Sequence, residues 1–301
     1  MAASSITEEK LTKSKIAKSQ ATRRDPLWRQ ALAIAWLCWL YDMLTNLAPT
    51  RRAAALAHAH AMVRLERGLD LAPELALNRW LAGEHTLALI LSDYYDNAHF
   101  VVTLGLLGWL WWRRPDVYVP LRNALVLTNL IAFAVFLLYP VAPPRMLVGE
   151  GFTDVVATSH AFGSWHTGSL AADADQYAAM PSLHIAWASW CAYVLWRLSE
   201  RAAPRWRRLL RTLGVLHVAV TAFAVLATGN HYLLDVLAGF ATAALSLCVA
   251  TGFRTGIRAL RNRASEPVSN VTNLSRSAAQ GTMPHQVAAD PRSRLDGPVA
   301  G

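Results

Sequence analysis

Runs of apolar residues about twenty long recur along this chain, and no other feature limits its fold so tightly. At a rise of about 1.5 Å per residue, such a run crosses the ~30 Å of hydrocarbon in a bilayer. About six are present, near Leu27 to Leu47, His85 to Trp112, Leu121 to Tyr139, Pro181 to Leu198, Leu209 to Thr228 and His231 to Phe253. Backbone groups in lipid must find partners within the chain, and these runs lack the short alternating pattern of barrel strands, so each is expected to be a helix. The fold class that follows is all-α, a polytopic membrane helical bundle with about six transmembrane helices. Composition agrees: 54% of the 301 residues are hydrophobic and only 16% are charged, where a soluble chain carries about a quarter.

A formal net charge of +9 raises the question of nucleic acid, and the placement of the 29 Lys and Arg residues answers it. With the N-terminus in the cytoplasm, 23 of them fall in inner segments, and only Arg51, Arg52, Arg64, Arg67, Arg79 and Arg145 fall outside. The positive-inside rule predicts that skew. The charge is therefore topological and faces lipid, and no nucleic acid partner is expected. The chain is expected to be an integral, multi-pass plasma membrane protein with both termini cytoplasmic. The first run lies too far from residue 1, and lacks a small-residue cleavage site, to be a removed signal peptide.

The membrane domain is expected over residues 27 to 255, flanked by a basic tail (1–26) and a Ser-, Asn- and Pro-containing tail (256–301) that carry too few large apolar groups to fold alone. Between the first two runs, Arg51 to Ala82 mixes Ala and Leu with Arg, Glu and His at helical spacing. This pattern suits an amphipathic helix lying in the outer interface, with Arg64, Glu66 and Arg67 on its wet face. Cys38, Cys191 and Cys248 fall within spans and read as small apolar fillers, with no disulfide expected. His58 and His60, two apart, point to different helix faces, so no metal site is expected from them.

Three short polar stretches sit at span ends. "LYPVAPPRML" stops the third span with Pro140, Pro143 and Pro144 and then presents Arg145. "MPSLH" opens the fourth span, and "TGNHYLLD" breaks the chain at Gly229 and Asn230 before a helix carrying His231 and Asp235. The topology brings all three to the extracytoplasmic side. His231 and Asp235 are four apart, hence on one helical face, where a carboxylate can fix the imidazole tautomer and support its positive charge. Pro181 suits a first helical turn, and Ser182 and His184 then lie at the positive end of that helix, which favours an anion. Arg145 adds a planar fork for an oxyanion.

One cation, one helix N-terminus, one hydroxyl and two histidines describe a phosphate site. Such a set can transfer a phosphoryl group without a metal or other cofactor: one imidazole attacks phosphorus, and the other protonates the leaving oxygen. Water or another alcohol then takes the group in a second step. A general acid must carry its proton, so activity is expected to favour mildly acidic or neutral pH.

"AAMPSLH" and "HYLLD" resemble motifs of the type 2 phosphatidic acid phosphatase superfamily, and more closely those of its inositolphosphotransferase branch, the inositol phosphorylceramide synthases. The resemblance spans about Leu121 to Gly239. It implies that His231 is the nucleophile, Asp235 its orienting partner, His184 the general acid, and Arg145 and Ser182 phosphate ligands. The phosphatase pattern has Pro-Ser-Gly-His where this chain has Leu183, and a Ser-Arg pair where this chain has Ala224 and Val225. It also has a first-motif lysine that is absent here and a proline where Met146 follows Arg145. Fewer cations for the phosphate weigh against a plain phosphatase, and Leu183 favours the transferase-like branch.

"SDYYDNAHF" places Tyr95, Asp96 and His99 at the outer start of the second span, either to bind the hydroxyls of an acceptor or to anchor the helix at the interface. Asp42, near the outer end of the first span, is similarly open, whereas His217 reads as a packed core residue. Trp109, Trp111 and Trp112 read as a belt at the inner interface. The expected activity is that of a lipid phosphatase or phosphotransferase acting on a phosphorylated lipid, with water or a polyol as acceptor. A transporter or scramblase of a phosphorylated lipid is the alternative, and it would need an inner gate where the chain has only Arg-rich loops.

Overall fold

In the computed structural model, residues 51–159 and 177–264 are described, together with a few positions between 26 and 39. Most of the first expected span, with Cys38 and Asp42, and most of both tails lie outside the described residues. Eight helices can be followed: α1 (Arg52–Gly68), α2 (Glu74–Ala82), α3 (His85–Arg113), α4 (Pro115–Leu138), α5 (Val155–Ser159), α6 (Leu183–Ser199), α7 (Pro204–Ala227) and α8 (Leu233–Ala264). No strand occurs among the described residues; one parallel bridge joins Val141 to Ala178. Among the described residues, three helices are long and apolar enough to cross a membrane, namely α4, α7 and α8 over Leu233–Gly252. The α3 helix is 29 residues long but carries acidic residues in its first half, and α6 has 17 residues. The molecule is a helical membrane bundle, as the apolar runs implied.

Its outer faces are those of a lipid-solvated bundle, with Val101, Leu104, Val215, Leu216, Leu245 and Val249 all exposed. Inside, small residues let helices approach closely, as expected where lipid supplies no hydrophobic drive between them. A Cβ on Gly214 of α7 would lie 3.2 Å from Ala192 Cα of α6. Trp190, fully buried in α6, donates its indole N–H to Leu121 O of α4 at 2.8 Å. His217 is packed as expected, with Nδ1 2.9 Å from the Tyr94 hydroxyl. Trp109 and Trp112 are exposed, and the Arg113 guanidinium lies 4.2 Å from the Trp112 ring centre.

The stretch Arg51–Ala82 departs from its expected form in two ways. It breaks into two helices, α1 and α2, joined by a turn in which Asp70 adopts positive φ. Arg64 and Arg67 are exposed, but Glu66 is fully buried, not on a wet face. The cause is tertiary: Glu66 Oε1 accepts a hydrogen bond from Leu234 N, in the first turn of α8, at 2.7 Å. Helix α1 also holds the end of α4, with His58 stacked on Tyr139 at 3.9 Å and its Nδ1 2.8 Å from Pro140 O.

Candidate phosphate-transfer site

Each polar stretch is tied to the next by backbone. Val141 N donates to Tyr177 O, and Ala179 N donates to Val141 O, so the segment after α4 pairs with the segment that leads into α6. The 3₁₀ turn Pro144–Met146 follows, and Arg145 N donates to Gly229 O at 3.0 Å. Gly229 has φ +74°, and a Cβ there would meet the Asn78 side chain at 2.9 Å, so this corner before His231 requires glycine.

Helix α6 begins at Leu183 with Ser182 as its N-cap, the Oγ accepting from Ile185 N at 3.4 Å. Pro181 therefore precedes the cap, after a cis peptide bond, where the sequence placed it in the first turn. The serine takes the capping position because its hydroxyl can accept the helix N–H that a proline cannot. Ser182 is fully buried, and its N–H donates to Asp235 O at 3.1 Å, locking the start of α6 to the start of α8.

His231 is 4% exposed, and its Nδ1 lies 2.9 Å from Ala179 O and 3.4 Å from Asp235 Oδ2. A carbonyl oxygen can only accept, so Nδ1 carries a proton, and in the neutral ring that leaves the lone pair on Nε2. The Ala179 carbonyl thus shares the orienting task assigned by spacing to Asp235. Asp235 also accepts from Tyr232 N through the same Oδ2 at 2.9 Å, so it caps its own helix while facing the imidazole. The His184 ring is 5.7 Å from that of His231, edge to face. On its other sides His184 stacks on Tyr95 at 4.3 Å and meets His99 edge-on, also at 4.3 Å.

Tyr95 and Asp96 are buried, and His99 Nδ1 is 3.0 Å from Tyr95 O. Tyr95 and His99 stand beside His184 in a narrow crevice that Thr221 and Val225 help to line. Arg145 reaches the same end of the bundle. One arm donates to Asn230 Oδ1, beside His231, and its Nε is 3.2 Å from Asp154 Oδ2.

Sequence reading missed the supports of this assembly. Asn78 of α2, fully buried, donates to Ala227 O and Thr153 O and accepts from Thr153 N, tying the loop after α4 to the end of α7. Asn230, taken only as a chain breaker, also donates to Thr228 Oγ1. A polar residue on a short amphipathic helix, as Asn78 is, gives no local sign of a distant partner.

Gly239 marks the closest approach of α8 to α6, since a Cβ there would sit 2.6 Å from Ser182 O and 3.0 Å from Ile185 Cβ. Backbone cannot yield as a flexible side chain does, so Gly239→Ala must part the two helix starts. Overpacking of this kind costs about 1–3 kcal/mol, and a 1 Å misplacement of reacting groups costs about 100-fold. The expected result is a lower melting temperature in detergent and a turnover reduced about 100-fold, measured on the purified variant.

Neither the curated proteins nor the solved structures yielded a match to this chain. The sequence model of the PAP2 superfamily matches residues 60–249, a span that begins in α1, ends in α8 and contains Arg145, Ser182, His184, His231 and Asp235. With that match over well over half its length, the chain belongs to the PAP2 superfamily and is a membrane enzyme of the lipid-phosphatase type.

Proposed function

We propose that this enzyme transfers a phosphoryl or phospho-head-group from a phosphorylated lipid through a phosphohistidine at His231, with its site on the extracytoplasmic face. The observation that carries the reading is the His231 ring itself, whose Nδ1–H is engaged by Ala179 O while the neighbouring ring of His184 lies 5.7 Å away. That tautomer leaves Nε2 as the nucleophile. In the first step its lone pair forms the N–P bond, the P–O bond to the lipid breaks, and His184 gives its proton to the departing oxygen. Asp235 balances the positive charge that His231 acquires. In the second step the acceptor hydroxyl loses its proton to His184 and attacks phosphorus, and the N–P bond breaks.

Arg145, Ser182 and the first amides of α6 stabilise charge on the equatorial oxygens. For Arg145, binding of phosphate means exchanging Asp154 for a substrate oxyanion. The acceptor is water or a polyol held by Tyr95, Asp96 and His99, and the latter choice corresponds to the inositolphosphotransferase-like branch. The packing of the Tyr95 and His99 rings on His184, with Asp96 buried one residue after Tyr95, supports an acceptor role over an interfacial anchor.

Purified enzyme supplied with a phosphorylated lipid, with and without a polyol, tests the reading when free phosphate and lipid products are both measured. Free phosphate as the product supports hydrolysis. A phosphate ester of the polyol, measured alongside the released lipid alcohol and formed only when the polyol is present, supports transfer, because the lipid leaves in the first step. Lipid movement across vesicles without turnover would overturn both.

A further inference from the structure

Behind the His231–Asp235 pair lie two acidic side chains that the proposed chemistry does not use. Glu66 of α1 is fully buried, and Glu74 of α2 is 2% exposed. The two carboxyls face one another within hydrogen-bonding reach, yet the Oε2 atom of each has no donor facing it. Glu66 Oε1 accepts from Leu234 N at 2.7 Å, in the helical turn that carries Asp235. Two buried, facing oxygens that can only accept are costly, and one proton between them satisfies both. Burial pushes each carboxyl above the usual carboxylate range, with the partner carboxyl and Asp235 adding to the effect on Glu66. The charged and titratable groups around the pair are Asp235 and Tyr232 from α8 and its lead, Arg67 from α1, and Glu150 near Tyr232.

We infer that Glu66 and Glu74 share a single proton and act as positioning residues, holding the first turn of α8 so that Asp235 and His231 keep their places. In the shared-proton state, Glu66 donates through Oε2 to Glu74 while its Oε1 still accepts from Leu234 N. The pair then carries one negative charge, which supports positive charge on His231 through Asp235. The catalytic part of this inference rests on the function proposed above; the shared proton does not.

The test uses the full chain in detergent, as wild type, Glu66→Gln, Glu74→Gln, the double Gln variant and Glu66→Ala. A Gln at either position donates its amide N–H to the other carboxylate and so mimics the one-proton state. Each single Gln variant is expected to keep kcat within about 3-fold of wild type. Glu66→Ala strips the acceptor from Leu234 N and is expected to lower kcat about 100-fold with KM changed less than about 3-fold, the scale of a small displacement of reacting groups. The double Gln variant removes the charge that favours protonated His231, so the acid limb of its kcat profile, where the nucleophile becomes protonated, shifts to lower pH. A merely structural pair would move neither the limb nor kcat apart from KM.

Two readouts do not depend on turnover. Infrared difference spectra of wild type against each single variant are expected to show one protonated carboxyl band, absent from the variants. The native state holds a proton that the unfolded chain gives up, so wild-type melting temperature falls as pH rises above the usual carboxylate range, and the double variant loses that slope. Loss of the band and the slope overturns the shared proton. Glu66→Ala with wild-type kcat overturns the positioning role. Band and slope present in an enzyme that turns over no lipid phosphate would sink the proposed function while leaving the pair intact.

Discussion

His231→Ala abolishes turnover of a phosphorylated lipid, with a loss on the order of 10⁴–10⁶-fold, the scale seen when a covalent nucleophile is removed from its assembly. Radiolabel from the lipid phosphate, trapped on the wild-type chain by rapid acid-free denaturation, is absent from the variant. His184→Ala behaves differently. Loss of a general acid costs about 10²–10⁴-fold with an alcohol leaving group. An aryl phosphate, whose leaving oxygen needs no proton, recovers most of that loss in His184→Ala and none of it in His231→Ala. Recovery in His231→Ala and none in His184→Ala would reverse the two roles, since the rings are otherwise close neighbours at 5.7 Å.

Asp235→Asn is expected to slow turnover about 100-fold, well short of the ~10⁴-fold that follows the same change in a serine protease triad. The difference has a structural cause. In the triad the carboxylate alone fixes the tautomer, whereas here Ala179 O holds Nδ1–H at 2.9 Å and Asp235 stands at 3.4 Å. An asparagine still accepts from Tyr232 N, so the helix start survives, and what is lost is the charge that supports imidazolium. The loss should fall on kcat with KM nearly unchanged, read from initial rates across lipid concentration. A reduction as large as that of His231→Ala would mean that the carbonyl does not hold the tautomer.

The helices were legible because lipid leaves the chain no cheaper option: α4, α7 and α8 each contain one of the long apolar runs. The candidate site was legible in part, because an ionisable group in a span invites a functional explanation, and His184, His231 and Asp235, which the fold brings together, stood out for that reason. Arg145 was found through the prolines that precede it. What the sequence concealed was the second layer. The capping of α8 by Glu66, the clasp made by Asn78 and the carbonyl of Ala179 all join residues distant in the chain. Periodicity placed Glu66 beside Arg64 and Arg67, and nothing local distinguishes an acid that faces water from one that faces the first turn of another helix.

The two helix starts that carry His184 and His231 are joined through main chain, by Ser182 N to Asp235 O and by the close approach at Gly239. Tyr95, Asp96 and His99 belong to a separate helix, and the Tyr95 and His99 rings meet His184 on its other sides. Substituting on that third wall changes what lies alongside His184 while the main-chain join between the two helix starts stays in place. If the third wall holds the acceptor as proposed, exchanging its side chains changes the preferred alcohol and leaves the join between the two helix starts as it is.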